Sequence, residues 1–211
     1  MRFTYLIALA TLVSASPLKF ELEIGRRGNL PTPVSVATAK EYLGELRISP
    51  PVTDPPYNRR NFTHWITIDG KCDTRETVIK RDATAEVTVD AACKAIAGAW
   101  VSDYDGTLIV DPSGLDIDHT VPLKEAWQAG AWNWTSARRR EFANDLIRPQ
   151  LIAVSARSNR MKGDKDPSKW MPSNLSFHCT YIRAWIQVKY FYELTVDQAE
   201  KEALEKFINN C

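Results

Sequence analysis

The chain has 211 residues, 44% of them hydrophobic and seven of them Trp. That length suits one domain with short ends, and the composition excludes a fibrous or disordered chain. Lys and Arg number 27 against 26 Asp and Glu, a net charge of +1; nucleic-acid binding ordinarily shows as a basic excess, so here it would need a local patch.

Arg2 precedes an apolar run from Thr4 to Val13, too short for a bilayer span of about 20 residues. Val13-Ser14-Ala15 then offers a cleavage site. Residues 1–15 read as a secretory signal peptide and 16–36 as a flexible leader or propeptide, in which Arg26-Arg27 is a candidate processing pair. Residues 37–211 read as one domain. Sequons at Asn61, Asn133 and Asn174 suit an exported glycoprotein. No later run is long and apolar enough for a membrane helix, so no membrane partner is expected.

Ala37 to Leu46 patterns as a short helix, and the Pro-rich stretch from Ser49 to Pro56 ends it in an extended linker. Strands are predicted at Thr63–Ile68 and Ala85–Val89, and a hairpin from Trp100–Tyr104 with Thr107–Val110 around the Asp105-Gly106 turn. Ile117–Leu123 is a further predicted strand. A helix capped by Thr135 or Ser136 runs to about Ile147, with Pro149 closing it. Leu151–Val154 reads as a short strand, followed by a helix from Ser155 to Lys162 that Gly163 stops. Two helices end the chain, the second capped by Thr195 with Gln198.

The mature chain carries Cys72, Cys93, Cys179 and Cys211, and an even count in an exported protein implies two disulfides. The last two helices are of matched length and joined by the short Glu193-Leu194 link, so they pack antiparallel. That packing brings Cys179 and Cys211 together and leaves Cys72 to pair with Cys93.

The chemistry concentrates in Asp116-Ile117-Asp118-His119-Thr120-Val121-Pro122. Adjacent strand side chains point to opposite faces. An acid there can hold a hard cation while the neighbouring His deprotonates a water across a phosphate. After the second strand, Asn159-Arg160-Met161-Lys162-Gly163-Asp164-Lys165 opens from a helix. Asn159 offers a neutral oxygen to the same cation, and Arg160, Lys162 and Lys165 cluster where phosphate would lie. Residues 138–169 hold nine Lys or Arg against four Asp or Glu, the local basic excess sought above. A solvated helical face is the bland explanation of those charges. Arg75 and Arg81 are further candidates for phosphate, against ion pairs with Glu76 and Asp82. His64 and His178 lie outside the motif and read as structural.

DIDHTVPLKEAW, FANDL, PQLIAVS and SNRMKGDKDPSKW together resemble the secreted HNH nuclease-like proteins, similar to the HNH domain at the C-terminal end of GmrSD-type restriction enzymes. The resemblance spans about residues 37–211. It implies an α+β fold with a ββα-metal (HNH, His-Me finger) core, a small β-rich N-terminal part and a C-terminal antiparallel helical hairpin. Asp118 and Asn159 would bind one divalent metal, Mg2+ foremost, with Mn2+ or Zn2+ as alternatives. His119 would be the general base and Lys162 an aid to catalysis. Arg160, Lys162, Lys165 and Arg75 would touch substrate, and Asp116, Gln150 and Asn144 would support the centre. The middle Asn of the HNH pattern has no clean match: Gln150 sits near that place, Asn144 is the nearest Asn, and a backbone carbonyl is the other way to orient His119. The expected activity is endonucleolytic hydrolysis of nucleic acid, DNA ahead of RNA, by a secreted monomer. The rival is a non-catalytic secreted binding or effector module that keeps the fold, its aromatic surface drawn from Trp127, Trp132 and Trp134.

Overall fold

The computed structural model describes residues 30–211. The expected signal peptide and the leader as far as residue 29 lie outside them. From Leu30 onward the segment expected as a mobile leader is packed: Leu30 is buried, and the Val34 amide donates to Gln187 Oε1 at 3.0 Å.

The fold is α+β, built from helices and four separate two-stranded antiparallel ladders. Helix α1, Val36–Glu45, is capped by the Ser35 side chain and buries Ala39 and Leu43. Strands β1, Thr67–Asp69, and β2, Cys72–Asp73, pair at the Gly70 turn. Helix α2, Thr74–Arg81, follows, with the Asp73 carboxylate accepting from the Glu76 amide as its cap. The sequence reading missed α2, because an eight-residue, highly charged helix shows little periodicity. Strand β3, Thr88–Val89, pairs with β4, Ala95–Ala97; β5, Trp100–Val101, pairs with β6, Leu108–Ile109. The predicted strand over Thr63–Ile68 survives only at its end. Asn144 ties the Thr63 carbonyl and the Ile66 amide, and Trp65 adopts φ 58°, which no strand residue holds.

At the centre, β7, Leu115–His119, pairs with β8, Leu151–Ser155, in continuous register from Leu115↔Ser155 to His119↔Leu151. Strand β7 stops at His119 because Pro122 introduces helix α3, Leu123–Gln128. Helix α4, Ser136–Ala143, is capped by Thr135. It ends four residues before the predicted Ile147, since Asn144 turns its amide to the 63–66 loop and Asp145 takes the Ile147 and Arg148 amides. Helix α5, Ala156–Lys162, starts directly on β8, with Ser155 as cap and Gly163 beyond its end at φ 55°.

Helices α6, His178–Phe191, and α7, Gln198–Ile208, form the terminal hairpin, and α1 packs against both. The cap of α7 is Asp197, not the predicted Thr195: the Asp197 carboxylate accepts from the Glu200 amide, while Thr195 is spent on the Ala129 carbonyl. Both disulfides form as derived, Cys72–Cys93 and Cys179–Cys211.

The β7–β8 ladder divides two apolar clusters. Ile152 and Val154 face the large one, with Tyr104, Tyr181, Trp185 and the helices. Leu115, Ile117, Leu151 and Ala153 face the smaller one, with α2 and Trp100. Strand alternation then sends Asp116 and Asp118 to one side and His119 to the other.

Candidate active site

On the first side, α5 lies along the β7–β8 ladder. Asp118 is 4% exposed. Tyr104 Oη donates to its Oδ2 at 2.5 Å, and Lys162 Nζ lies 3.0 Å from Oδ1 and 2.9 Å from Oδ2. Lys162 is 0% exposed and also donates to the His119 carbonyl at 2.9 Å. Burial pushes the Asp118 carboxyl above its ordinary range, against the pull of Lys162, and pushes the Lys162 ammonium below its own, against the pull of Asp118. Lys162, expected at a substrate phosphate, is turned inward and knits α5 to β7 instead. One turn earlier on α5, Asn159 Nδ2 donates to Asp116 Oδ2 at 3.1 Å, and Arg160 Nε stands 4.0 Å from the same oxygen.

On the second side, His119 is 5% exposed. Its Nε2 lies 3.0 Å from the Ala143 carbonyl oxygen. A carbonyl only accepts, so Nε2 carries the proton and the Nδ1 lone pair is left to act as a base. The orienting group is thus a backbone carbonyl. Gln150 does something else: its amide brackets Val121, accepting from the Val121 amide at 3.1 Å and donating to the Val121 carbonyl at 3.0 Å. It thereby fixes the chain just beyond His119. Burial holds the imidazole down to about 3, with Arg59, His64 and Lys162 adding repulsion against the opposing Ala143 bond. The ring is therefore neutral at any ordinary pH.

Trp65 covers that ring. Its centroid is 5.6 Å from the imidazole at an interplanar angle of 25°, and His64 meets Trp65 edge-on at 5.3 Å. A left-handed φ in so bulky a residue costs roughly 1–3 kcal/mol and persists only where the surroundings impose it. Asn144 imposes it: its amide donates to Thr63 O and Arg140 O and accepts from Ile66 N and Thr74 Oγ1. Asn144 therefore fixes the loop that lays Trp65 over His119.

The sequence brings forward neither Tyr104 nor Trp65, and it reads Ser49 to Pro56 as an extended linker. That stretch is docked: Trp127 Nε1 donates to Pro55 O, Val52 N to Gln128 O, and Tyr57 packs on Trp127. An isolated aromatic carries no signal of a partner 14 or 54 positions away. Arg75 pairs with Glu76, and Arg81 with Asp82 and the Leu151 carbonyl. Arg160 and Lys165 are exposed, the latter resting on the Met161 carbonyl. His64 and His178 lie on the carbonyls of Phe62 and Pro172. Trp127 is buried and Trp134 packs against the core, which leaves Trp132 as the exposed one of the three proposed surface aromatics.

No group of three or more His, Cys, Asp or Glu stands together as a metal cage among the described residues. The donor set for a hard cation is instead mixed, a β7 carboxylate with the Asn159 carboxamide, and oxygen donors of that kind suit Mg2+ completed by water. Asn159 now turns Nδ2 to Asp116 Oδ2 at 3.1 Å, and its carboxamide would have to turn over to offer oxygen to such an ion.

Residues 73–207 match the family described as GmrSD restriction endonucleases, C-terminal domain. The chain is also 45% identical, over the full length of both sequences, to an uncharacterized secreted protein of Arthroderma benhamiae. No solved structure matches it.

Proposed function

The chain belongs to the family of the GmrSD restriction endonuclease C-terminal domain, and on that premise we propose that it is a secreted endonuclease of HNH type that hydrolyses phosphodiester bonds with one divalent cation. The observation that carries this reading is His119, a neutral imidazole with Nε2 spent on the Ala143 carbonyl and Nδ1 left as a base. Export is supported by the secreted relative and by the two disulfides. DNA, ahead of RNA, is the proposed substrate, and the protein acts as a monomer. Among the described residues no helix is long and apolar enough to cross a membrane.

His119 Nδ1 would take the proton of the attacking water. Trp65 and the Ala143 carbonyl hold the ring plane, so the lone pair keeps one direction. Asn159 and a β7 carboxylate would hold the cation. When bound, Mg2+ or a similar ion offsets charge that builds on the phosphoryl oxygens. Arg160, exposed on α5, and Lys165, exposed just past its end, would meet the nucleic-acid backbone.

The test is conversion of supercoiled plasmid to nicked and linear forms with Mg2+, Mn2+ or Zn2+, abolished by EDTA. A single-stranded RNA substrate run alongside gives the preference. If the folded protein binds DNA and cuts neither polymer with any of the three ions, the binding-module reading replaces this one.

A further inference from the structure

We propose that the protein carries N-linked glycans at Asn61 and Asn133 and none at Asn174. This goes beyond the nuclease reading and does not depend on it. All three asparagines head sequons in an exported, disulfide-bonded chain. A glycan attaches through Nδ2 and is bulky and strongly hydrated, so an occupied asparagine must point outward with its carboxamide free.

At Asn61 and Asn133 the middle residue of the sequon goes in and the asparagine goes out. Phe62 is 1% exposed and packs on Trp127 and Phe142. Trp134 packs on Phe142 and Tyr192. Asn61 and Asn133 are exposed, and neither carboxamide makes a hydrogen bond among the described residues. Asn174 reverses the pattern. Its middle residue, Leu175, is 76% exposed, and the asparagine is turned in. Asn174 Nδ2 donates to the Asp103 carbonyl at 3.0 Å, and Oδ1 accepts from the Ser176 hydroxyl at 2.8 Å and the Ser176 amide at 3.3 Å. The Asn174 amide donates to the Tyr104 carbonyl at 3.0 Å. A sugar there would loosen the chain that seats Tyr104 against Asp118.

The two open sites share one face. The Arg139 guanidinium donates to the Asn61 carbonyl at 3.1 Å and to the carbonyls of Ala131 and Trp134, which bracket Asn133. Trp132, 39% exposed, lies beside Asn133 on that face. The sugar there screens the one exposed aromatic that a binding module would offer.

The experiment secretes the full chain from a yeast host and maps occupancy by mass spectrometry. Peptide N-glycosidase acting in heavy-oxygen water marks each asparagine that carried a glycan. Asn61 and Asn133 should be marked, and Asn174 should not. On gels, Asn61→Gln and Asn133→Gln should each lose one glycan. Ser176→Ala destroys the third sequon while keeping Asn174, and it should lose none. Asn174→Gln should also lose none. After trimming with endoglycosidase H it should melt about 2–4 °C below the wild type, having given up its inward hydrogen bonds, whereas Asn61→Gln should melt with the wild type. A mark at Asn174, or a bare Asn61 or Asn133, overturns the assignment.

Discussion

Among the described residues two lysines lie fully buried, one in the α6–α7 hairpin and one in the β7–β8–α5 unit, and their surroundings differ by one carboxylate. Lys189, within the α6–α7 hairpin, reaches Glu125 at 2.6 Å, Glu200 at 3.1 Å and the Thr195 carbonyl at 2.8 Å. Burial pulls its ammonium down, but the two acids outweigh burial and raise it. Lys162, in the ββα half, has Asp118 alone, and there burial wins. The surplus in the hairpin shows up on the acids: burial pushes the Glu200 carboxyl up to about 7, against the pull of Lys189. The hairpin thus holds its cation firmly with one acid in excess. The ββα half holds an evenly matched pair that a further charge placed beside it would upset.

The sharpest way to break this contrast is to strike each half at its centre. His119→Ala should lower cleavage by roughly 10²–10⁴-fold, the usual worth of general-base help, while the protein still melts as one unit. Lys189→Ala should do the reverse. Stranding the buried Glu200 and the partly buried Glu125 should cost about 3–5 kcal/mol in urea denaturation, while whatever fraction stays folded at low temperature cleaves normally. Equal loss of activity in both variants would mean that the hairpin belongs to the catalytic unit.

A milder probe is pH, because the two halves should respond with opposite sign. Glu200 binds its proton more tightly folded, at about 7, than its ordinary 4.5. Its contribution therefore falls as pH rises from about 4.5 to 7. His119 binds its proton less tightly folded, at about 3 against 6.5. Its contribution is intact above pH 6.5 and is lost as pH falls toward 3. Stability measured against pH in Glu200→Gln should lose the downward slope, and in His119→Asn the upward one. Parallel curves for wild type and both variants would discard the comparison. The smallest expected effect lies on the surface. Arg160→Ala and Lys165→Ala should each make the salt dependence of DNA binding shallower by about 0.9, one phosphate apiece. An unchanged slope would place the nucleic acid elsewhere.

How much of this was legible beforehand follows from the range of each interaction. The β7–β8–α5 unit was readable because its signals are local: an Asp-His pair, a β-branched run, a serine cap and a closing glycine within a few residues of one another. The disulfides were readable because two helices of matched length joined by a short link leave little freedom. The surroundings of the site were not readable. Tyr104 meets Asp118 across 14 residues, and Trp65 meets His119 across 54. Lys162 looked like a phosphate contact because a lysine among basic neighbours is ordinarily solvated. Its helical position instead faces the strand, which no charge count reveals. The Asn144 clasp also cut back a predicted strand and shortened a predicted helix, since side chain-to-backbone bonds of that kind override propensity.

The two disulfides also settle where a working fragment must begin and end. The family match covers 73–207, and Cys72 and Cys211 fall just outside it. A fragment trimmed to those bounds would keep Cys93 and Cys179 as two orphan thiols, each stripped of its natural mate. It would also discard α1, which packs on both helices of the hairpin, and bare the apolar face that Ala39 and Leu43 cover. Such a piece would oxidise at random and clump during expression. The unit to purify runs from at least Leu30 to Cys211.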